Sequence, residues 1–477
     1  MTGVFKPKQN QFINVAILKS ESFNQNQLGL DIQISEISNS GPFSWQVNGT
    51  EVPQIPTSQE VIIRYREVLD KVKLNIPILV RHYGSLSMLD LNLRQIVMQI
   101  LSLYQQIRFL SLKAAIFPTT SSHHLDSLIF EISCDLANVT QVFLRETIIK
   151  DRLLPMVKMN GFQAALPSTA IISEFELGEN IELLRKLVSE NLDTSILNSK
   201  YISNYYSATF YLILNKFILF KNQIKIRIFN REQAVKIMDL RKRSLLHEIQ
   251  LYLSQKNSLL LLNKYEREDS EYLKKYLENC KKDNFKPLIL FAHFQPEATT
   301  FPEGGKYYNH IDLICELRAS NFREPIIYKE HPATYLYGSK NFSFEVGTYR
   351  DAEYYRNLHK LGCFFATQEI LNSVDDYLPI TITGSIAFQR SLEGKKTVVA
   401  GDPWFYKLPG LIPFDVFKDC PSDFLKAESD NILHSPESSY ETLREIFDFK
   451  TCGSFQKLSD LETKDEYFKL IQYLSNL

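Results

Sequence analysis

Lys329 and His331 are spaced so that they could bind one phosphate group together. They follow the predicted strand Pro325–Tyr328, and Pro332 restrains the backbone directly after them. Side chains two residues apart on an extended chain point to the same side, so a point charge and an N–H donor would meet one anion. The alternative is a solvated lysine beside a histidine that hydrogen-bonds a carbonyl group. A motif this short leaves both interpretations open.

A second candidate phosphate site is the run Thr383-Gly384-Ser385. It ends the predicted strand Ile380–Thr383 and leads directly into the predicted helix Ile386–Leu392. Glycine allows a close approach of the backbone, the two hydroxyl groups can donate, and a helix N-terminus presents free N–H groups. The alternative is that Ser385 or Thr383 caps the helix.

A carboxylate follows the first predicted strand of the second half, Pro287–Phe291. Glu297 lies in the loop after this strand, between Gln295 and Thr299. It could accept hydrogen bonds from sugar hydroxyl groups or act as a general base. A surface or capping glutamate is the alternative.

The first half has a smaller polar cluster after the predicted strand Ala114–Phe117. His123, His124 and Asp126 follow that strand, and the predicted helix Leu125–Leu136 begins among them. Such a cluster could orient an acceptor or supply a base. Exposed histidines beside an N-capping aspartate are the alternative.

The elements that must position these residues alternate between short apolar strands and helices. In the second half the remaining strands are Cys363–Ala366 and Thr397–Ala400, an arrangement typical of a doubly wound parallel sheet. Helices are predicted at Tyr308–Ala319, Ala352–Leu361 and Asp415–Lys426. The first half shows helical patterns at Glu60–Val72 and Leu86–Leu112 and a strand at Gln141–Leu144.

The pattern predicts an α/β protein with two Rossmann-like domains facing a cleft. The N-terminal α/β domain spans 1–230, a charged helical bridge spans 231–284, and the C-terminal α/β domain spans 285–477 and ends in a helix at 465–477. Parallel α/β sheets bind ligands at the carboxyl ends of their strands, where all these polar clusters fall.

Composition excludes several classes of function. The 477 residues carry 54 Lys and Arg against 55 Asp and Glu, so no basic coat for nucleic acid is present. The six cysteines show no zinc-site or CxxC spacing, so neither a metal site nor a resident cofactor is predicted. P-loop, GxGxxG, HExxH and GxSxG motifs are absent as well.

The expected location is the cytoplasm. The N-terminal residues lack an apolar signal core, and the most apolar stretch, Tyr205–Phe220, is interrupted by Asn215 and Lys216. The basic run at 241–243 most simply forms a solvated helix face. Contact with an anionic lipid surface is the alternative.

The order of the motifs in the second half resembles a known family. HFQPEATT at 293–300, GG at 304–305, YKEHP at 328–332, TITGS at 381–385, then GKK at 394–396 and GDPWFY at 401–406 follow one another. This order is similar to the donor-binding half of bacterial capsule and surface-polysaccharide biosynthesis proteins. Those proteins are GT-B-type glycosyltransferases, similar to the Kdo transferases of capsule assembly and, more remotely, to bacterial sialyl- and polysialyltransferases. The likeness covers about residues 287 to 410.

The resemblance implies a metal-independent glycosyltransferase. Its donor would be a nucleotide sugar, CMP-linked by analogy and carrying a 3-deoxy-ulosonic or other acidic sugar. Its acceptor would be a surface glycan or glycolipid, and its partners would include a peripheral contact with the inner face of the cytoplasmic membrane or with the polysaccharide assembly machinery. The donor-binding residues implied are Lys329, His331, Pro332, Thr383, Gly384, Ser385, Gln389, Gln295 and Thr299.

The catalytic residues implied are His331, Glu297 and Asp126, with His123 and His124 on the acceptor side. One position departs from the family, because relatives show a glutamate where this chain has Gln389. A non-catalytic nucleotide-sugar-binding or scaffold protein of the same fold is therefore the alternative. A two-domain sugar-nucleotide epimerase is a weaker one.

Overall fold

A computed structural model describes the protein over several segments of the chain. They are 14–18, 33–41, 44–47, 50–51, 63–76, 79, 86–117, 125–146, 152–159, 162–165, 245–293, 303–331, 350–426, 434–447 and 451–452. The predicted helix at 465–477, the apolar stretch Tyr205–Phe220 and the basic run at 241–243 lie outside these residues. No helix in the described segments is both long enough and apolar enough to cross a membrane.

The described strands and helices can be given in chain order. The strands are β1 (Asn14–Leu18), β2 (Gln33–Gly41), β3 (Ser44–Val47), β4 (Thr50–Glu51), β5 (Ala114–Phe117), β6 (Thr140–Glu146), β7 (Arg152–Met159), β8 (Phe162–Ala165), β9 (Leu288–Phe291), β10 (Ile326–Lys329), β11 (Cys363–Phe365), β12 (Leu378–Thr381), β13 (Thr397–Val399), β14 (Leu411–Pro413) and β15 (Thr451–Cys452). The helices are α1 (Tyr65–Leu74), α2 (Leu86–Phe109), α3 (Leu125–Leu136), α4 (Leu245–Glu268), α5 (Ser270–Lys282), α6 (His310–Ala319), α7 (Ala352–Lys360), α8 (Gln368–Asn372), α9 (Ser385–Leu392), α10 (Phe414–Asp419), α11 (Pro421–Leu425) and α12 (Pro436–Phe447).

The chain divides into two compact units. The first comprises Met1–Phe175 together with Phe447–Leu477, and the second comprises Glu176–Ile446. The sequence pattern instead put a separate bridge at 231–284 and the whole C-terminal segment in the second domain. Helix α4 belongs to the second unit because Tyr265 stacks on Phe365 of β11. Strand β15 belongs to the first because it pairs with β7.

The first unit contains a mixed sheet in the order β15-β7-β6-β5-β1-β2-β3-β4, with β8 paired to β7. The inner strands β2, β1, β5 and β6 are parallel, and the pairs toward both edges are antiparallel. Strand β5 and helix α3 have the predicted bounds, and the strand predicted at Gln141–Leu144 lies within β6. Helix α2 ends three residues before the predicted Leu112.

The second unit contains a six-stranded parallel sheet in the order β11-β10-β9-β12-β13-β14. Numbered within the unit, this is the 3-2-1-4-5-6 order of a doubly wound sheet, and the direction of winding reverses between β9 and β12. Leu288 and Leu290 of β9 join one buried cluster and Ile289 joins another, so both faces of the sheet are covered. The α/β class predicted from the alternation is confirmed.

The predicted elements of the second unit differ from the observed ones in several places. Helices α8 and α12 were not predicted, and β12 begins and ends two residues before the predicted strand Ile380–Thr383. Strand β14 was not predicted; it is short and carries a proline at its end. The helix predicted over Asp415–Lys426 consists of two helices, α10 and α11, separated at Cys420. Pro421 begins α11, and proline cannot supply the backbone N–H that a continuous helix would need there.

Candidate functional site

The candidate site lies at the carboxyl ends of the strands of the second unit, where the winding reverses. His293 follows β9 and Thr383 follows β12, so they come from the two strands that flank the reversal. The backbone N–H of Thr383 donates to Nε2 of His293 at 3.0 Å, and the Thr383 hydroxyl lies 3.2 Å from the same nitrogen. One histidine therefore connects the two strand ends at the position where doubly wound folds bind their ligands.

His293 is fixed by its backbone as well as by its side chain. Its N–H donates to Nε2 of His310 at 3.1 Å, and its carbonyl accepts from Nη2 of Arg350 at 2.7 Å. Burial lowers the pKa of His293 to about 3, with smaller contributions from the nearby His331 and the Arg350 cation, so the ring is neutral. Because Nε2 accepts a hydrogen bond, the ring proton is on Nδ1.

Glu330 is the centre of a buried polar network beside His293. Its Oε2 accepts from the hydroxyls of Tyr328 and Tyr355, each at 2.8 Å, and from Nε of Arg350 at 3.1 Å. Its Oε1 accepts from the backbone N–H of His331 at 2.8 Å. Both side chains of the Glu330–Arg350 ion pair are only 1% exposed. A buried charge pair of this kind is tolerated because further hydrogen bonds compensate for its lost hydration.

A chain of hydrogen bonds joins His310 to this carboxylate. Nδ1 of His310 lies 3.1 Å from the Tyr354 hydroxyl, which lies 3.2 Å from the Tyr328 hydroxyl. His310 accepts at Nε2 from the His293 backbone, so its Nδ1–H donates to Tyr354. Tyr354 can then donate to Tyr328, and Tyr328 can donate to Glu330. Each hydroxyl group in this chain therefore donates toward the Glu330 carboxylate. Burial holds the pKa of His310 well below its usual value, so the ring stays neutral and its Nε2 remains an acceptor.

Strand β10 separates this network from a second pair of basic side chains. Tyr328 and Glu330 alternate along the chain with Lys329 and His331, and alternate residues of a strand point to opposite faces. Nζ of Lys329 lies 5.2 Å from the centre of the Phe291 ring, and burial lowers the pKa of Lys329. Burial lowers the pKa of His331 to about 4; Glu330 opposes this change, and the Arg350 and Lys329 charges add to it.

The predicted Thr383-Gly384-Ser385 element forms the start of α9. Gly384 holds the N-cap position, which the alternative interpretation gave to Ser385 or Thr383, and as a glycine it has no side chain to cap the helix. Ser385 is exposed in the first turn, and Gln389 is half-buried one turn later on the same helix.

Gly384 and Gly401, which follow the carboxyl ends of β12 and β13, allow neighbouring loops to pack closely. A Cβ on Gly384 would lie 2.5 Å from Oγ1 of Thr381, which also accepts from the Gly384 N–H at 3.3 Å. A Cβ on Gly401 would lie 2.5 Å from the carbonyl oxygen of Glu303. Both contacts are closer than real side chains allow, so these loops can pack together only with glycine at those positions.

The structure describes only part of the predicted site. Glu297, Gln295, Thr299, Pro332, His123 and His124 lie outside the described residues. Asp126 is the second residue of α3, and the description there does not extend to its side chain. The residues of the second unit that are brought to one sheet edge are Lys329, His331, Thr383, Gly384 and Ser385. No group of His, Cys, Asp and Glu within the described segments could hold a metal ion.

Sequence reasoning missed the residues that organise this edge. His293 is the first residue of the HFQPEATT motif, and its role was not predicted. A histidine directly after an apolar strand is nevertheless a usable signal for a binding residue. Glu330 lies inside the YKEHP motif, between the two residues singled out for phosphate. Arg350, His310 and Tyr354 carry no local signal, because they become neighbours of Glu330 only in the folded chain.

No protein-family model and no curated protein matches this chain.

Proposed function

We propose that the second unit binds a nucleotide sugar and that the protein is a GT-B-type glycosyltransferase of surface-polysaccharide assembly. The observation that carries this proposal is the 3-2-1-4-5-6 sheet with basic and hydroxyl side chains collected where the winding reverses. Sheets of this order bind nucleotides at that position. The motif order that resembles capsule glycosyltransferases falls on the same strand ends.

The residues at this edge suit a phosphate leaving group. When a sugar leaves a nucleotide, negative charge grows on the phosphate in the transition state, and preorganised donors lower the barrier. Lys329, His331 and the Ser385 hydroxyl would supply these donors, together with the N-terminus of α9. Partial burial of Lys329 strengthens its attraction for an anion, since less water screens the charge.

The acceptor side of the reaction is proposed from the sequence alone. A glycan or glycolipid hydroxyl must lose its proton, and Glu297 or a residue of the first unit would take it. If the anomeric configuration is retained, Asp126 would serve as the carboxylate nucleophile. A CMP-linked acidic sugar is the donor that the resemblance favours, and cytoplasmic location with peripheral membrane contact would suit the acceptor.

Nucleotide binding is tested first. We expect CMP to raise the melting temperature of the purified protein more than CDP, UDP or GDP does. Lys329→Ala should weaken binding of the stabilising nucleotide about tenfold, as expected when a charged hydrogen bond is lost. Lys360→Ala is the matched control, because Lys360 ends α7 and its side chain is 71% exposed. If none of the four nucleotides stabilises the protein, the proposal is wrong.

Transfer is tested by a donor screen read by mass spectrometry. His331→Ala should reduce transfer at least a hundredfold while the protein stays folded by circular dichroism, and full residual activity would remove His331 from the mechanism. Nucleotide binding without transfer to any acceptor would favour the non-catalytic alternative, which the Gln389 departure motivates. Interconversion of the nucleotide sugar without an acceptor would identify an epimerase instead.

A further inference from the structure

One buried donor at the reversal point of the second sheet has no acceptor among the described residues. His293 is 4% exposed, and its backbone N–H, its carbonyl oxygen and its Nε2 all form hydrogen bonds. Its Nδ1 has no hydrogen-bond partner within the part of the chain that the structure describes. Native proteins pair nearly all buried polar groups, so an unpaired one at a strand end indicates an acceptor that comes from a ligand.

The rigidity of His293 makes its Nδ1–H a preorganised donor. His310 and Arg350 hold the backbone on both sides of the residue, and Thr383 holds the ring. With Nε2 engaged as an acceptor, the neutral ring must keep its proton on Nδ1. A ligand atom would therefore meet a donor whose position and protonation are already fixed, which reduces the entropy lost on binding.

The surroundings of the ring favour an anionic acceptor. Cε1 and Nε2 of His293 each lie 3.5 Å from the position that a Cβ would take on Gly384, so the ring lies beside the start of α9. The Arg350 guanidinium, which donates to the His293 carbonyl oxygen, is the cation beside this residue, and the His331 ring lies near it as well. The carboxylate of Glu330 is turned to Arg350 and the tyrosines. A phosphate oxygen matches an N–H donor that lies beside a helix N-terminus and the Arg350 guanidinium.

We propose that His293 is a ligand-binding residue whose Nδ1–H donates to a phosphate oxygen of the bound nucleotide. This inference rests on the proposed function, since it names one contact of the same nucleotide. It adds a fixed neutral donor between the β9 and β12 strand ends to the Lys329 cation and the His331 ring.

Two substitutions separate the two nitrogens of the ring. His293→Gln can keep an acceptor near Nε2 for the Thr383 N–H but has no donor at the Nδ1 position. His293→Asn can keep a donor near Nδ1 but cannot reach Thr383. By calorimetric titration with whichever of CMP, CDP, UDP and GDP stabilises the wild-type protein most, we expect His293→Gln to bind about tenfold or more weakly. His293→Asn should bind within about threefold of wild type while melting at a lower temperature.

A spectroscopic measurement on the wild-type protein does not depend on how the variants fold. In protein labelled with ¹⁵N-histidine, His293 should show a proton on Nδ1 and a bare Nε2. Adding the same nucleotide should shift the Nδ1 resonance and leave Nε2 unprotonated. If the nucleotide binds, but the Nδ1 resonance does not move and His293→Gln binds as tightly as wild type, the inference is wrong and the proposed function stands. If no nucleotide binds the wild-type protein, both are wrong.

Discussion

The central parallel strands of the two sheets differ in the kind of residue found at their carboxyl ends. In the first unit, β5 ends at Phe117, whose ring stacks on Phe143 at 4.5 Å and packs against Phe130 at 4.9 Å. In the second unit, β9 leads into His293, and β10 leads into Glu330 and His331. The described end of β5 is thus an apolar core, whereas the ends of β9 and β10 form a hydrogen-bonded polar cluster.

The residues at these two places also differ in the free energy of burying them. Burying Phe117 is favourable by itself, because apolar surface leaves water. Burying Glu330 and Arg350 is favourable only if each charge and each hydroxyl has a partner. A protein that keeps such a network at a sheet edge gains a rigid set of donors and acceptors there. Among the described residues, the polar network at these strand ends is the part of the second unit that could take part in binding or chemistry.

The largest effect should come from breaking the buried ion pair. Glu330→Gln keeps the shape of the side chain but leaves the Arg350 charge without its carboxylate. We expect the free energy of unfolding to fall by about 3–5 kcal/mol. Denaturant unfolding of the second unit measures this change.

The matched control uses an exposed pair from the same unit. Arg356 and Glu353 pair at 3.2 Å on α7, and their side chains are 50% and 56% exposed. Glu353→Gln should change stability by less than about 0.5 kcal/mol, because exposed pairs are screened by water. Equal losses in Glu330→Gln and Glu353→Gln would contradict the network described around Glu330.

An intermediate effect is expected in the apolar core of the first unit. Phe117→Leu removes ring contacts with Phe143 and Phe130 and should lower stability by about 1–3 kcal/mol. Nucleotide affinity, measured by titration of the folded variant, should stay within about twofold of wild type if the nucleotide site lies in the second unit. A loss of affinity as large as that of Lys329→Ala would place part of the nucleotide site in the first unit.

The most gradual effect should be a dependence of stability on pH. In the folded protein the pKa of His293 is about 3 and that of His331 about 4, whereas an unfolded histidine has its usual pKa near 6.5. Between these values the unfolded chain binds more protons than the folded one. Stability should therefore fall as the pH is lowered from about 6.5 toward 4.

A variant assigns part of this pH dependence to one side chain. His293→Gln removes one titrating group, so its melting temperature should fall less steeply with acid than that of wild type. Parallel curves for the two proteins would show that His293 does not take up a proton on unfolding. Thermal scans at closely spaced pH values provide the measurement.

Much of the fold could be predicted because it depends on local patterns. Ala114–Phe117 is a buried apolar run, and Leu125–Leu136 has an apolar face at helical spacing, so both elements have the predicted bounds. The second unit's strands were found because parallel strands buried on both faces read as continuous apolar runs. Strand β14 was missed because a run ending in proline resembles a loop.

The candidate site was predictable only in its outline. Lys329 and His331 were found because they follow an apolar strand at a two-residue spacing. Arg350 could not be found, because its hydrogen bonds go to His293, 57 residues away, and to Glu330, 20 residues away. No local pattern encodes contacts at such separations.

The sequence by itself determined the α/β class, the alternation of strands and helices and the positions of the basic and hydroxyl residues at strand ends. These features follow from the period of apolar residues and from turn chemistry, which act over a few residues. The tertiary structure decided the 3-2-1-4-5-6 strand order and the hydrogen bond between His293 and Thr383. It also decided that Arg350 and the tyrosines donate to Glu330. Those features require strands distant in sequence to pair and exclude water together, and only the folded chain brings that about.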